Sequence, residues 1–198
     1  MHKSSMLKMQ YFKDTYLNPN EDLNILDIGS FDKTGEYNYS IVLNEEKWNY
    51  HGLDLKEGNN VDIVVKNPYD WQEIEAGTYD VVVTGQALEH IEFFWITLEQ
   101  IDRALKPGGI CCIIAPSAGP VHKNPYDCYR FKKNGVKALA KYIRFRVIEF
   151  GTTDASNSNP WFDSFVIAKK PEKGSKEEIE KRMDILDRKM DLILEKLR

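Results

Sequence analysis

The stretch Leu23-Asn24-Ile25-Leu26-Asp27-Ile28-Gly29-Ser30-Phe31-Asp32-Lys33-Thr34-Gly35 decides how this chain reads. Its first six residues are a short apolar run with β-branched members, the pattern of a strand buried on both faces of a parallel sheet. Gly29 ends the run and lets the backbone approach a ligand with no Cβ between them. The next apolar stretch, Tyr50-His51-Gly52-Leu53-Asp54-Leu55, carries an acidic residue near its end. A strand, a glycine turn and a later strand-end carboxylate describe a nucleoside-binding βαβ unit, in which Asp54 accepts from both ribose hydroxyls. A plain turn residue is the alternative for Asp54. The dinucleotide pattern G-x-G-x-x-G is not met, because Phe31 and Thr34 stand where glycines are needed. Phe31 crowding the turn argues against NAD or FAD.

Further along, apolar runs at Val61–Val65, Tyr79–Thr84, Ile110–Ala115, Phe145–Phe150 and Phe162–Ala168 predict five more strands. Helical spacing appears over 5–17, over 93–105 and at Val136, Leu139, Ala140 and Ile143, and a helix is expected over 38–44. Lys106-Pro107-Gly108-Gly109 is a sharp helix stop. The last two strands follow one another across a Ser/Asn-rich connection from Thr152 to Pro160. Alternation of strand and helix gives a parallel, doubly wound sheet.

With the fourth and fifth strands in place, Tyr79-Asp80-Val81-Val82-Val83, Glu89-His90-Ile91 and Leu105-Lys106-Pro107-Gly108-Gly109 resemble class I S-adenosylmethionine-dependent methyltransferases, of the type 11-like kind, over residues 24–168. Gly29-Ser30-Phe31-Asp32 with Gly35 is similar to a subgroup in which an aromatic replaces the second glycine. His122, Pro125, Asp127, Tyr129, Arg130 and Phe131 match a segment of that subgroup, often found near glycan-modifying genes. The resemblance implies an α/β fold: a doubly wound, seven-stranded, mostly parallel sheet in the order 3-2-1-4-5-7-6, the last strand antiparallel, with a C-terminal helix added. It implies S-adenosylmethionine as cofactor. Asp27, Gly29 and Ser30 are expected around its methionine part, Asp54 at the ribose, Asn67 at the adenine, and Gln86 and Ala87 at the sulfonium. The expected activity is methyl transfer to a small-molecule acceptor, with a sugar or sugar-like hydroxyl as first choice. His122 and Asp127 are the catalytic candidates, His122 as general base. His90, Tyr129 and Arg130 are expected to bind substrate. Each has a plainer alternative: Glu89-His90 as a helix entry, His122 as a solvated loop residue, Arg130 as the partner of Asp127. Asp80 begins its strand, at the far end of the sheet, and receives no role.

Asn67-Pro68-Tyr69 and Asn124-Pro125-Tyr126 are similar to the Asn-Pro-Pro-Tyr element of DNA-base methyltransferases. That element belongs directly after the fourth strand, where Thr84-Gly85-Gln86-Ala87 stands.

Composition sets the remaining bounds. The 198 residues suit one domain, 1–170, and an appendage, 171–198. A formal charge of −4 offers no basic excess for nucleic acid. No apolar run has a membrane span's length, no signal-peptide core is present, and the expected location is the cytoplasm. Cys111 and Cys112 are strand neighbours on opposite faces, and no C-x-x-C pair suggests a metal or redox site, so none is expected. In the appendage, Ile179, Met183, Leu186, Met190, Ile193 and Leu197 alternate steps of four and three, a heptad seam that points to self-association through 176–198. Packing of that helix on its own domain is the alternative. The competing functional reading is a non-catalytic methyltransferase-like scaffold that works through this helix.

Overall fold

The computed structural model describes residues 3–153 and 161–196. Seven strands form one sheet: β1 (Leu23–Ile28), β2 (Trp48–Asp54), β3 (Ile63–Val64), β4 (Tyr79–Gly85), β5 (Leu105–Pro116), β6 (Arg146–Thr152) and β7 (Asp163–Lys169). Their order is β3-β2-β1-β4-β5-β7-β6. Neighbours from β3 to β5 pair in parallel, and β7 runs antiparallel to both β5 and β6. This is the expected fold. Among the described residues four α-helices accompany the sheet: α1 (Lys3–Tyr16), α2 (Phe94–Ala104), α3 (Lys133–Tyr142) and α4 (Lys176–Lys196).

Strand alternation divides the core in two. Ile25, Val81, Val83, Cys112, Ile114 and Ile167 face one side, where Met9 and Phe12 of α1 cover them together with Tyr39, Leu43 and Trp48. Leu26, Ile28, Val82, Cys111, Ile113 and Val166 face the other, under Leu98 and Ile101 of α2 and Val136 and Leu139 of α3. Neighbouring side chains on a strand point to opposite faces, so the two cysteines lie in different cores. Burial pushes the Cys111 thiol up to about 12 and the Cys112 thiol well above its ordinary value.

Two expected elements differ. The segment 38–44 forms only a single 3-10 turn, Tyr39–Ile41, instead of a helix. The chain ahead of it winds around Asp32, whose carboxylate accepts from Thr34 N and Oγ1, Tyr37 N and Asn38 Nδ2 at 3.0–3.1 Å. Tyr39 then drops into the core, its hydroxyl bonded to Ser5. Side-chain acceptors satisfy the backbone there and compete with a helix. The third strand shrinks to Ile63–Val64 because Asp62 turns its carboxylate to Gly52 N, 2.7 Å away. Asp80 sits at the amino end of β4, paired with Lys106 at 2.8 Å and accepting from Asn24 N.

The helix α4 is tied to the domain by Lys181–Asp102 at 2.6 Å and by an Arg144–Asp184 pair. Its seam residues Ile179, Met183, Leu186, Met190 and Ile193 are 50–63% exposed. Leu197 and most of the 152–160 connection lie outside the described residues. No helix among the described residues is long and apolar enough to cross a membrane.

Candidate active site

The carboxyl ends of β1, β2 and β4 bring the donor-side candidates together. Gly29 closes β1 with φ +75°, a left-handed conformation that favours glycine, and a Cβ there would lie 2.5 Å from the Ala87 Cβ. The turns after β1 and β4 therefore touch, and only hydrogen fits between them. Gly29 N and Ser30 N both donate to Leu53 O, at 2.9 and 3.1 Å, fastening the turn to β2.

Asp54 ends β2 half-buried. One carboxylate oxygen accepts from Phe31 N at 3.2 Å and the other from Leu55 N at 2.7 Å. A carboxylate oxygen takes two hydrogen bonds, so each keeps a lone pair for a diol. Asp27 lies beneath, 2% exposed, accepting from Tyr50 Oη at 2.5 Å. Burial pushes its carboxyl up to about 7, Tyr50 opposes the rise, and the Asp54 charge adds to it. Asn60 Nδ2 locks this cluster by donating to Tyr50 Oη and Ser30 O. A glycine cradle beside a carboxylate with lone pairs to spare fits an adenosine-type cofactor.

Other donor-side candidates point elsewhere. The Ser30 hydroxyl lies 2.6 Å from where a Gly52 Cβ would be, so it faces β2. Gln86 has φ +60°, uncommon for a residue with a side chain, and its amide donates to the buried Asp163 at 2.9 Å. Asn67 Oδ1 caps its own turn by accepting from Tyr69 N at 2.9 Å. Phe31 swings outward, 42% exposed, and packs over Gly58, where any side chain would collide with its ring.

The acceptor-side candidates sit on the 3-10 turn Leu88–His90 and on the loop after β5. Cys128 N and Tyr129 N donate to Glu89 O, at 2.8 and 3.2 Å, and His90 Nδ1 donates to Tyr126 O at 2.6 Å. The His122 ring then stands edge-on to His90, centroids 4.8 Å apart, and 4.6 Å from Trp161. Asp127 and Arg130 are each other's partners. Two guanidinium bonds of 2.5 and 3.0 Å join them, while Arg130 also donates to Pro120 O and Tyr129 O. Arg130 holds the Asp127 carboxyl well below the usual range, with help from the His122 N–H. Such a carboxylate orients a loop; it is a poor base at neutral pH. Tyr129 donates to Glu92 O at 2.8 Å and packs edge-on against Phe94.

In the sequence Glu89 reads only within the Glu-His pair, as a helix entry or a site; it is a buried acid of this edge, as Asp163 is. It is fully covered, neither carboxylate oxygen has a hydrogen-bond partner among the described residues, and burial pushes it up to about 8. Its only sequence signal was the Glu-His pair itself. Trp161, against His122, carried none.

A family model described as a methyltransferase domain matches residues 7–150. A search of curated proteins finds no match. The fold is similar to Burkholderia thailandensis 1,6-didemethyltoxoflavin-N1-methyltransferase with bound 1,6-didemethyltoxoflavin and S-adenosylhomocysteine: TM-score 0.66, 14% identity, covering 85% of this chain and 79% of that one. It is also similar to the putative methyltransferase in complex with the Haloferax volcanii Trm112 methyltransferase activator, at TM-score 0.64, 16% identity and 88% and 91% coverage. Haemonchus contortus phosphoethanolamine N-methyltransferase 2, in complex with S-adenosyl-L-methionine, gives TM-score 0.61, 17% identity and 86% and 53% coverage. At these identities the likeness is one of fold. The match of the family model over most of the length carries membership: this chain belongs to the methyltransferase-domain family.

Proposed function

We propose that this chain transfers a methyl group from S-adenosylmethionine to a hydroxyl oxygen of a small polar acceptor, a sugar or sugar-like molecule. The observation that carries the reading is the contact of the Gly29 turn with Ala87 beside Asp54. It supports a donor bound across β1, β2 and β4, with Asp54 on its ribose and Asp27 below its methionine part. The acceptor oxygen attacks the methyl carbon, the S–CH3 bond breaks, and sulfur keeps the electron pair as S-adenosylhomocysteine forms. Positioning the two reactants supplies several kcal/mol of the rate enhancement. The hydroxyl proton goes to the polar cluster after β4 and β5, with His122 as its first acceptor. Tyr129 and Trp161 wall that side. The small-molecule substrate bound to the Burkholderia relative is consistent with an acceptor of this size.

The test is release of S-adenosylhomocysteine from the full chain over a panel of sugars, sugar nucleotides, hydroxy acids and amines. A hydroxyl-bearing acceptor is expected to turn over. His122→Ala is expected to lower kcat by about 10²–10⁴ near neutral pH with cofactor affinity unchanged. Full turnover by His122→Ala across pH removes the base assignment.

A further inference from the structure

Glu89, His90 and His122 each offer one ligand atom, and these three atoms lie within 4.8 Å of one another. We propose that they form a binding site for a first-row divalent cation of the Zn²⁺ or Mn²⁺ type, placed to take an oxygen of the acceptor.

Hydrogen bonding at His90 sets the geometry. Its Nδ1 lies 2.6 Å from Tyr126 O. A carbonyl can only accept, so Nδ1 carries the proton and donates. This is the outer-sphere bond that metal-ligating histidines use to fix their tautomer. It leaves Nε2 to face Glu89 Oε1 at 3.7 Å, too far for a hydrogen bond. In the neutral imidazole, Nε2 then turns a lone pair toward the Glu89 carboxyl. A cation between them displaces the carboxyl proton and bonds to both.

Glu89 is the second, independent observation. Its side chain is fully buried, and both of its oxygens lack a hydrogen-bond partner among the described residues. Buried polar atoms are nearly always satisfied, so an acid with two bare oxygens needs an explanation, and a bound ion is one. Glu89 Oε1 is the atom aimed at His90.

The backbone is also held for the purpose. Glu89 O takes the N–H groups of Cys128 and Tyr129, and Tyr126 O takes His90. Three hydrogen bonds thus clamp the turn carrying Glu89 and His90 to the loop carrying His122. An ion about 2.1 Å from each ligand needs ligand atoms roughly 3–4 Å apart, so small side-chain rotations close the set. Two imidazoles and one carboxylate suit Zn²⁺, Mn²⁺ or Fe²⁺ better than Mg²⁺ or Ca²⁺, which prefer all-oxygen shells. Three protein ligands leave positions open, the mark of a site that takes water or substrate.

The acceptor's part in this rests on the O-methyl reading above. A hydroxyl bound to the cation loses its proton more readily, as metal-bound water does. His122 is the proton acceptor only in the metal-free chain; with the cation in place it serves as a ligand and the proton leaves to solvent.

The experiment uses the full chain, freed of metal with a chelator and titrated with Co²⁺ while visible absorption is followed. S-adenosylmethionine is titrated calorimetrically in parallel. One equivalent of Co²⁺ is expected to bind with ligand-field bands. Glu89→Gln and His90→Gln are each expected to weaken it at least about tenfold. His51→Gln, whose ring rests on Tyr79, is expected to leave Co²⁺ binding unchanged. Unaltered S-adenosylmethionine binding by Glu89→Gln shows that the variant is folded. No stoichiometric Co²⁺ binding, or equal binding by Glu89→Gln and His90→Gln, overturns the cation site. If S-adenosylmethionine binds and Co²⁺ does not, the cation site falls while the methyl-transfer reading stands. If Co²⁺ binds and S-adenosylmethionine does not, the methyl-transfer reading falls while the site remains.

Discussion

Replacing Gly29 with alanine tests the contact that joins the two halves of the donor site. The backbone there has φ +75°. Forcing an L-residue into that conformation costs about 1–2 kcal/mol. The new methyl would also sit 2.5 Å from the Ala87 Cβ. Relief of such an overlap in a packed setting costs roughly 1–3 kcal/mol. Alanine's lower entropy in the unfolded chain returns about 0.4–1 kcal/mol. Gly29→Ala is therefore expected to destabilise by about 1–5 kcal/mol. Ala87→Gly alone removes a buried methyl and should cost about 1 kcal/mol. In the double variant the overlap is gone, so its loss should fall short of the sum of the singles by about 1–3 kcal/mol, the signature of direct contact. Urea unfolding of the four proteins, with unchanged denaturant slope, measures all the terms. Singles that add to within about 0.5 kcal/mol would mean that the two turns do not touch and that the cradle is misread.

Asp27 gives a pH signature. Its folded carboxyl titrates near 7, and the unfolded one near 3.9. Between those values the unfolded chain holds fewer protons, so stability falls as pH rises from about 4 to 7, by at most about 1.4 kcal/mol per unit from this group. Asp27→Asn should flatten that part of the stability profile in urea titrations at several pH values; an unchanged slope would refute the burial argument. The exposed seam of α4 predicts self-association. Sedimentation of the full chain should give a larger species than a chain ending at Lys170, and Leu186→Glu, at a position 63% exposed, should abolish the difference. Equal masses for the full and shortened chains would remove the helix as an oligomerisation element.

The strands were legible because their apolar runs are strong and bounded by Gly, Pro and Asn, and because a buried parallel sheet leaves little room for register ambiguity. The places of Gly29 and Asp54 were legible for a related reason: each stands where an apolar run ends, so each falls at the carboxyl end of its strand. Tertiary competition was not legible. Asp32 replaces a helix by collecting four donors that spacing rules ignore. Asp62 shortens β3 through one side-chain bond to β2. Gln86 and Asn67 have suitable positions on the edge, yet their amides are drawn to Asp163 and to a local turn. Glu89-His90 reads equally as a helix entry until the loop after β5 folds over it, carrying His122 to His90. Chain order cannot show that closure, because it depends on where the long loop lands.

Calorimetric titration of S-adenosylmethionine into the full chain, beside Asp54→Ala, is the most direct measurement of the central claim. The account predicts one binding site per chain, weakened at least about tenfold, or ~1.4 kcal/mol, when the carboxylate at the end of β2 is lost. No heat of binding in the native chain, or identical affinity in the variant, would contradict it.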